Sequence, residues 1–531
     1  MKSSVVFLLS LAGFATANDP TARLPASDTT YVGRYLPQFD QDAFLGITYA
    51  SPKRFNPATL LAPPKGKVTA QEYGFSCPAY GSDTTTMVAS GTIKLGEDCL
   101  NLNVIRPSGV AAGDGLPVAV WIYGGGWQQG SSADTRYNLS YIVEHSVKIG
   151  KPMIGVSMNY RLAGFGFLFS QEVMNSGNTN LGLRDQRTAL YWVQKNIRAF
   201  GGDPRKVTIW GESAGASSVG NHLLAYGGRD DKLFRAAILQ SGTAAGPPHN
   251  DTRWYQPLYD QVTAVTGCDS ALDTLDCLRN LPYETLYPAL DVGSEWFPTV
   301  DGDMIRSWPS TATREGRFVK VPLLVGSNTD EGISFGVTGV NTDAEALAQL
   351  IASARYVLTT AQAQKLLSLY PNVPALGSPY GTGNRTWPNL GLQWKRYASM
   401  AGDLTMVAPR RLLASEASKY SSAYSYRFDA PLPNNTATSR VGVGHFQDVP
   451  YVMANPAQTY TPLGNDTRRL ALAHKMAGMW ATFVSDGNPG DGWPMYSREE
   501  PRNFVFRSDQ SYVEEDDYRI DGMEFINSLL R

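Results

Sequence analysis

A serine at position 213 sits between two glycines, in Gly211-Glu212-Ser213-Ala214-Gly215, directly after the apolar run Val207-Thr208-Ile209-Trp210. Small, helix-compatible residues then continue to Leu224. Strand, tight turn and helix in that order suit a nucleophile. A strained turn holds the hydroxyl clear of the backbone, and glycines two places either side remove side chains that would collide with neighbouring chain. With 51 glycines in 531 residues the pentapeptide can arise by chance, so its place between strand and helix carries the weight. Upstream, the apolar run Val118 to Tyr123 opens into Gly124-Gly125-Gly126-Trp127. Successive glycines let backbone N–H groups approach a developing oxyanion, where a pre-aimed donor lowers the barrier by ~3 kcal/mol. A phosphate loop would instead require a Lys and a Ser or Thr to follow, and Trp127-Gln128-Gln129 follows.

A serine nucleophile needs a base, and the chain offers five histidines: His145, His222, His249, His445 and His474. The glycine-flanked serine between strand and helix resembles the nucleophile turn of α/β-hydrolases, whose chain order is serine, acid, histidine. The acidic pair Asp330-Glu331 follows the apolar run Val321 to Gly326, and periodicity alone does not choose between the two carboxylates. Beyond the pair, His474 falls inside a helical pattern from Arg468 to Trp480. His445 lies in the loop-like Val443-Gly444-His445-Phe446-Gln447-Asp448, where a base can reach the nucleophile.

The elements that must position these residues are short apolar runs alternating with helical patterns, the signature of a mainly parallel sheet covered by helices. Candidate buried strands are Val118 to Tyr123, Met153 to Tyr160, Val207 to Trp210, Phe234 to Gln240 and Val321 to Gly326. Leu190, Val193 and Ile197 share one face of a helix that ends at Gly201-Gly202. The fold class is therefore α/β. No repeat stands out, and Pro371 to Asn384 reads as a surface loop.

Further segments, in order along the chain, resemble the type-B carboxylesterase family, which includes cholinesterases and fungal triglyceride lipases. They are Phe44-Leu45-Gly46-Ile47-Thr48-Tyr49-Ala50, Glu97-Asp98-Cys99-Leu100-Asn101-Leu102-Asn103-Val104, Asn159-Tyr160-Arg161 and Gly182-Leu183-Arg184-Asp185-Gln186. Phe200-Gly201-Gly202-Asp203-Pro204, the Ser213 turn, Gln240-Ser241-Gly242, Gly487-Asn488-Pro489 and Trp493-Pro494 continue the series. The resemblance implies an α/β-hydrolase fold, a large mainly parallel central sheet flanked by helices, with residues 18–531 as one catalytic domain. It assigns Glu331 rather than Asp330 as the acid, supports His445 as the base, and places the oxyanion donors at Gly125, Gly126 and Ala214. Glu212, beside the nucleophile, and Ser241, similar to a supporting partner of the acid, are secondary candidates. The implied activity is carboxylic ester hydrolysis through an acyl-enzyme, with no metal or cofactor and a small-molecule ester as substrate. Acyl transfer and an adhesion protein retaining only the fold are the alternatives.

Composition agrees with a folded, exported chain. Hydrophobic residues make up 43% and charged residues 18%, outside the range of disorder, and a net charge of −2 without a Lys/Arg run gives nucleic acid no footing. Met1-Lys2, the apolar run Val5 to Ala12 and Ala15-Thr16-Ala17 read as a secretory signal peptide over residues 1–17. That run is shorter than the ~20 residues a membrane span needs, and neither a later span nor a lipid-anchor tail is expected. Four cysteines allow three pairings, of which sequence proximity favours Cys77 with Cys99 and Cys268 with Cys277. N-glycosylation sequons stand at Asn138, Asn250, Asn384, Asn434 and Asn465.

Two features bear on the ester. Cholinesterases hold the choline cation on a tryptophan in the first disulfide loop, whereas residues 78–98 contain Tyr80 as their only aromatic. In fungal lipases that loop is a longer amphipathic lid; here it is short, rich in Ser, Thr and Gly, with Met87, Val88, Ile93 and Leu95 as its modest apolar content. The expectation is an esterase acting on soluble esters, with an interfacial lipase as the alternative.

Overall fold

In the computed structural model, residues 19–24, 27–293, 296–353, 355–433, 440–456 and 463–531 are described; the expected signal peptide and Asn434 lie outside them. The uninterrupted apolar runs become the centre of one sheet. Its strands, in chain order, are β1 (Arg34–Leu36), β2 (Gln41–Thr48), β3 (Asn101–Pro107), β4 (Leu116–Ile122), β5 (Ile154–Met158), β6 (Gly202–Glu212), β7 (Ala236–Gln240), β8 (Leu323–Asn328), β9 (Ala423–Phe428), β10 (Arg502–Phe506) and β11 (Tyr512–Glu515). The spatial order is β11-β10-β9-β8-β7-β6-β4-β5-β3-β2-β1. From β5 through β10 every neighbouring pair is parallel, and the pairings outside that block are antiparallel.

Burial on both faces explains why β5, β7 and β8 read as continuous runs rather than alternating ones: every residue in them is buried. Each fully buried Val, Leu or Ile there contributes ~1.5–3 kcal/mol of transfer free energy. The helices that matter for the site are α1 (Ser82–Ala89), α2 (Leu181–Asn196), α3 (Ala214–Gly228) and α4 (Thr467–Asp486). Helix α2 carries the expected face, with Leu190 and Val193 buried, and its chain turns off through Ile197–Phe200 at Gly201. A second apolar cluster, including Leu350, Leu366, Met400, Met523 and Ile526, forms among helices Asp343–Ala352, Thr360–Leu369, Trp394–Gly402 and Ile520–Leu529. The cysteines pair as Cys77–Cys99 and Cys268–Cys277, and the first bridge closes the loop that contains α1. Among the described residues no helix is long and apolar enough to cross a membrane.

Candidate active site

Strand β6 ends at Glu212 and α3 begins at Ala214, so Ser213 occupies the bend between them with φ 57° and ψ −125°. That backbone is costly for a residue with a Cβ and persists only where the surroundings over-determine it. They do so by close approach. A Cβ on Gly215 would lie 2.0 Å from the Ile122 carbonyl oxygen at the end of β4, and one on Gly211 would lie 2.4 Å from the Gly215 carbonyl carbon. The Ser213 N–H donates to the Gln240 carbonyl at 2.9 Å, extending the β6–β7 ladder to the nucleophile itself. The Ala214 N–H, first of the helix, has no carbonyl one turn back to receive it. Ala214 lines the same cavity as Gly125 and Gly126, which follow β4; Gly125 adopts φ +90°, and a Cβ there would meet the Gln129 carbonyl at 2.3 Å.

Two loops complete the constellation. His445 Nε2 is 2.8 Å from Ser213 Oγ, and His445 Nδ1 is 2.7 Å from Glu331 Oε2. Glu331 follows β8, and its other oxygen accepts the Asn328 N–H at 2.7 Å, which fixes the carboxylate plane. Asp330, the competing carboxylate, points elsewhere. Its oxygens accept from Ser378 Oγ (2.9 Å), Tyr380 N–H (2.8 Å) and Val443 N–H (2.8 Å), tying the 378–380 loop to the segment that carries His445. The acidic pair is thus buried, not a solvated turn. Ser241 departs from its expected role: among the described residues its buried hydroxyl has no hydrogen-bond partner, so it does not hold Glu331. His145 and His474 stack on each other at 5.0 Å, His222 binds the Gln186 side chain, and His249 meets the Pro247 carbonyl.

Acidic groups surround the imidazole. Glu212 Oε1 lies 3.4 Å from His445 Nε2, and Glu212 is pushed up to about 8, chiefly by burial and then by the neighbouring Asp448 and Glu331 charges, against the His445 cation. For His445, burial alone would disfavour the cation; the charges of Glu212, Glu331 and Asp448 outweigh it and raise the imidazole to about 9. A neutral His445 can accept the Ser213 proton, and the acidic surroundings stabilise the imidazolium that results. The sequence alone assigns no role to Asp448, Asn328, Gln240 or Tyr426. Only the placement of Asp448 three residues after His445 hints at one.

The serine opens onto a cavity of about 820 Å³ whose walls include Tyr80, Trp127, Tyr137, Phe297, Phe335 and Phe446. The Cys77–Cys99 loop forms one side and is tied down. Tyr80 stacks on Tyr287 at 4.8 Å, the Tyr287 hydroxyl donates to the Ala79 carbonyl at 2.7 Å, and Arg136 Nη2 donates to Asp83 at 2.7 Å. Its apolar residues Met87 and Ile93 turn inward onto Ala133, with Leu95 packed beside them; Val88 is exposed. Of the sequons, Asn384 and Asn465 are exposed, Asn138 is half-buried, and Asn250 is buried.

The chain matches the carboxylesterase family over residues 27–520. It is 33% identical to secreted lipase 1 of Botryotinia fuckeliana, over 91% of this chain and 89% of that protein. It is 32% identical to the secreted triacylglycerol lipase LIP1 of Gibberella zeae, over 91% and 87%. The crystal structure of Aspergillus niger EstA superposes with a TM-score of 0.82 at 28% identity, covering 97% of this chain and 99% of EstA. A family match across nearly the whole chain, on an α/β-hydrolase sheet, makes the protein a member of the carboxylesterase family and an ester-hydrolysing enzyme.

Proposed function

We propose that this enzyme hydrolyses soluble carboxylic esters outside the cell, with Ser213 as nucleophile, His445 as general base and acid, and Glu331 as the group that orients and supports the imidazole. Ser213 Oγ attacks the ester carbonyl carbon as its proton passes to His445 Nε2. The tetrahedral oxyanion rests on the N–H groups of Gly125, Gly126 and Ala214. Collapse expels the alcohol, which takes the proton from His445 and leaves an acyl-Ser213 ester. Water, deprotonated by the same imidazole, then releases the acid. The unbroken chain Glu331–His445–Ser213, with contacts of 2.7 and 2.8 Å, carries this reading. Residues 18–531 act as one catalytic domain, since strands drawn from residue 34 to residue 515 share one sheet.

The preference for soluble esters rests on the Cys77–Cys99 loop, whose apolar residues are largely spent on internal packing and whose Tyr80 and Asp83 are anchored. The lipase names of the relatives favour the second reading, interfacial action on triacylglycerols. Secretion is supported by the signal-like first 17 residues, two disulfides and relatives named as secreted. Ser213→Ala should cut turnover on the order of a million-fold and abolish labelling by an organophosphonate with the fold intact. Retained turnover would remove Ser213 from its role. Rates on esters of increasing acyl length should show no jump as each passes its solubility limit; a jump would favour the lipase.

A further inference from the structure

Asp448 is a buried carboxylate that the triad does not use. It is fully buried behind the catalytic histidine, three residues further along the same loop. Its Oδ2 accepts from Gln240 Nε2 at 2.7 Å and from the Tyr426 hydroxyl at 2.8 Å, and its Oδ1 lies 3.4 Å from Asn328 Nδ2. The two amide groups present N–H donors, which cannot accept a proton from a carboxylic acid, and the phenol hydroxyl donates in the same sense. Burial first, and then the Glu331 charge, push this carboxyl above the ordinary range, while the Gln240 and Tyr426 donors and a cationic His445 favour its ionised form.

The same partners reach every member of the triad. Gln240 receives the Ser213 N–H through its carbonyl, and its side-chain oxygen is held by the indole N–H groups of Trp210 and Trp480. Asn328 gives its backbone N–H to Glu331 and its side-chain N–H to the Gly444 carbonyl, adjacent to His445. The strand ends that position Ser213 and Glu331 are therefore cross-linked to the His445 loop through groups that meet at Asp448.

We propose that Asp448 is a positioning residue: it keys the His445 loop to the ends of β7, β8 and β9 and places a carboxylate behind the imidazole, favouring the imidazolium formed during acyl transfer. The proposal rests on His445 as the base. The charged groups acting on that ring are Glu331 at Nδ1, Glu212 at 3.4 Å from Nε2, and Asp448 on its own loop; Arg136 is the cation acting on Glu212. Glu331 contacts the ring, whereas Asp448 acts through the loop and the field.

The test is the pH dependence of kcat/KM for a short chromogenic ester, with Asp448→Asn compared with the parent enzyme. Loss of the charge should move the acidic limb down by about one pH unit, because a less supported imidazolium gives up its proton more readily. The weaker base should lower the plateau roughly three-fold or more, with KM little changed. An unmoved limb together with a lowered unfolding temperature would reduce Asp448 to scaffolding and overturn the proposal. If Asp448→Asn does not fold, Tyr426→Phe removes one donor and keeps the charge and the ring. It should lower kcat without raising KM, because the Asp448 carboxylate loses one of the bonds that fix the His445 loop. A Tyr426→Phe enzyme with parental kcat would refute the proposal. Asp448→Glu should recover part of the limb shift. Retained turnover in Ser213→Ala would undo the triad assignment, whereas an inactive Ser213→Ala together with an unmoved limb in Asp448→Asn would undo the proposal alone.

Discussion

Adjacent carboxylates at 330 and 331 should fail in opposite ways when each is replaced by its amide. Glu331→Gln keeps the oxygen that accepts the Asn328 N–H, so its amide nitrogen must turn toward His445 Nδ1, 2.7 Å away in the parent. That nitrogen can only donate, so Nδ1 must accept, the ring proton moves to Nε2, and the side facing Ser213 loses its lone pair. A base held in the wrong tautomer costs roughly 10⁴-fold in kcat, or about 5.5 kcal/mol of transition-state stabilisation. Asp330→Asn acts on folding instead. Three donors converge on its two oxygens, and an amide can serve at most one side, leaving at least the Val443 N–H facing another N–H. One buried donor left unsatisfied costs about 1–3 kcal/mol, and losing charge assistance in the remaining bonds adds to it. The expected result is a lower unfolding temperature and denaturant midpoint, with at most a ten-fold loss of kcat, since Val443 lies two residues from His445. Steady-state kinetics and urea unfolding on the same two preparations read both effects. The reasoning is refuted if Asp330→Asn loses as much kcat as Glu331→Gln while keeping parental stability.

Gly215→Ala should be worse than an ordinary surface glycine replacement, because its methyl would fall 2.0 Å from the Ile122 carbonyl oxygen, against backbone that cannot rotate away. Overpacking of this kind costs about 1–3 kcal/mol or more and displaces Ser213, so unfolding midpoint and phosphonate labelling rate should fall together; a parental labelling rate would argue against a tightly determined turn. The pH profile of kcat/KM should show its acidic limb above the ordinary imidazole value of 6.5, near 9, because turnover needs neutral His445 and that ring is raised to about 9. The sign for stability is opposite: a group raised on folding contributes fully below 6.5, and that contribution is lost as pH rises toward 9. A limb at or below 6.5 would show that the surrounding carboxylates do not reach the ring.

How much of this was legible in the chain depends on the range of the physics involved. The five sheet strands and the Ser213 turn were readable because their causes are local: unbroken apolar runs for strands buried on both faces, and glycines where backbones nearly touch. Expected strand ends moved by a few residues, as with β6, which begins at Gly202 rather than Val207. The antiparallel edge strands and the second apolar cluster carry no such local signal, since short half-buried strands and amphipathic helices take their identity from what they pack against. The acid illustrates the limit most sharply. Asp330 and Glu331 are neighbours of like charge with no periodic signal to part them, and the family resemblance chose Glu331. What separates them is where the loops at 378–380 and 443–445 arrive, more than forty residues further along the chain in each case, bringing donors to one carboxylate and an imidazole to the other. The partners of Asp448 are illegible for the same reason: Gln240, Asn328 and Tyr426 come from three different strands and meet only when the parallel sheet aligns their ends. A parallel sheet brings many strand ends to one edge, so polar residues there can converge without any spacing rule in sequence. For this enzyme the nucleophile is written locally, while the charge balance that makes its base effective belongs to the assembled sheet edge.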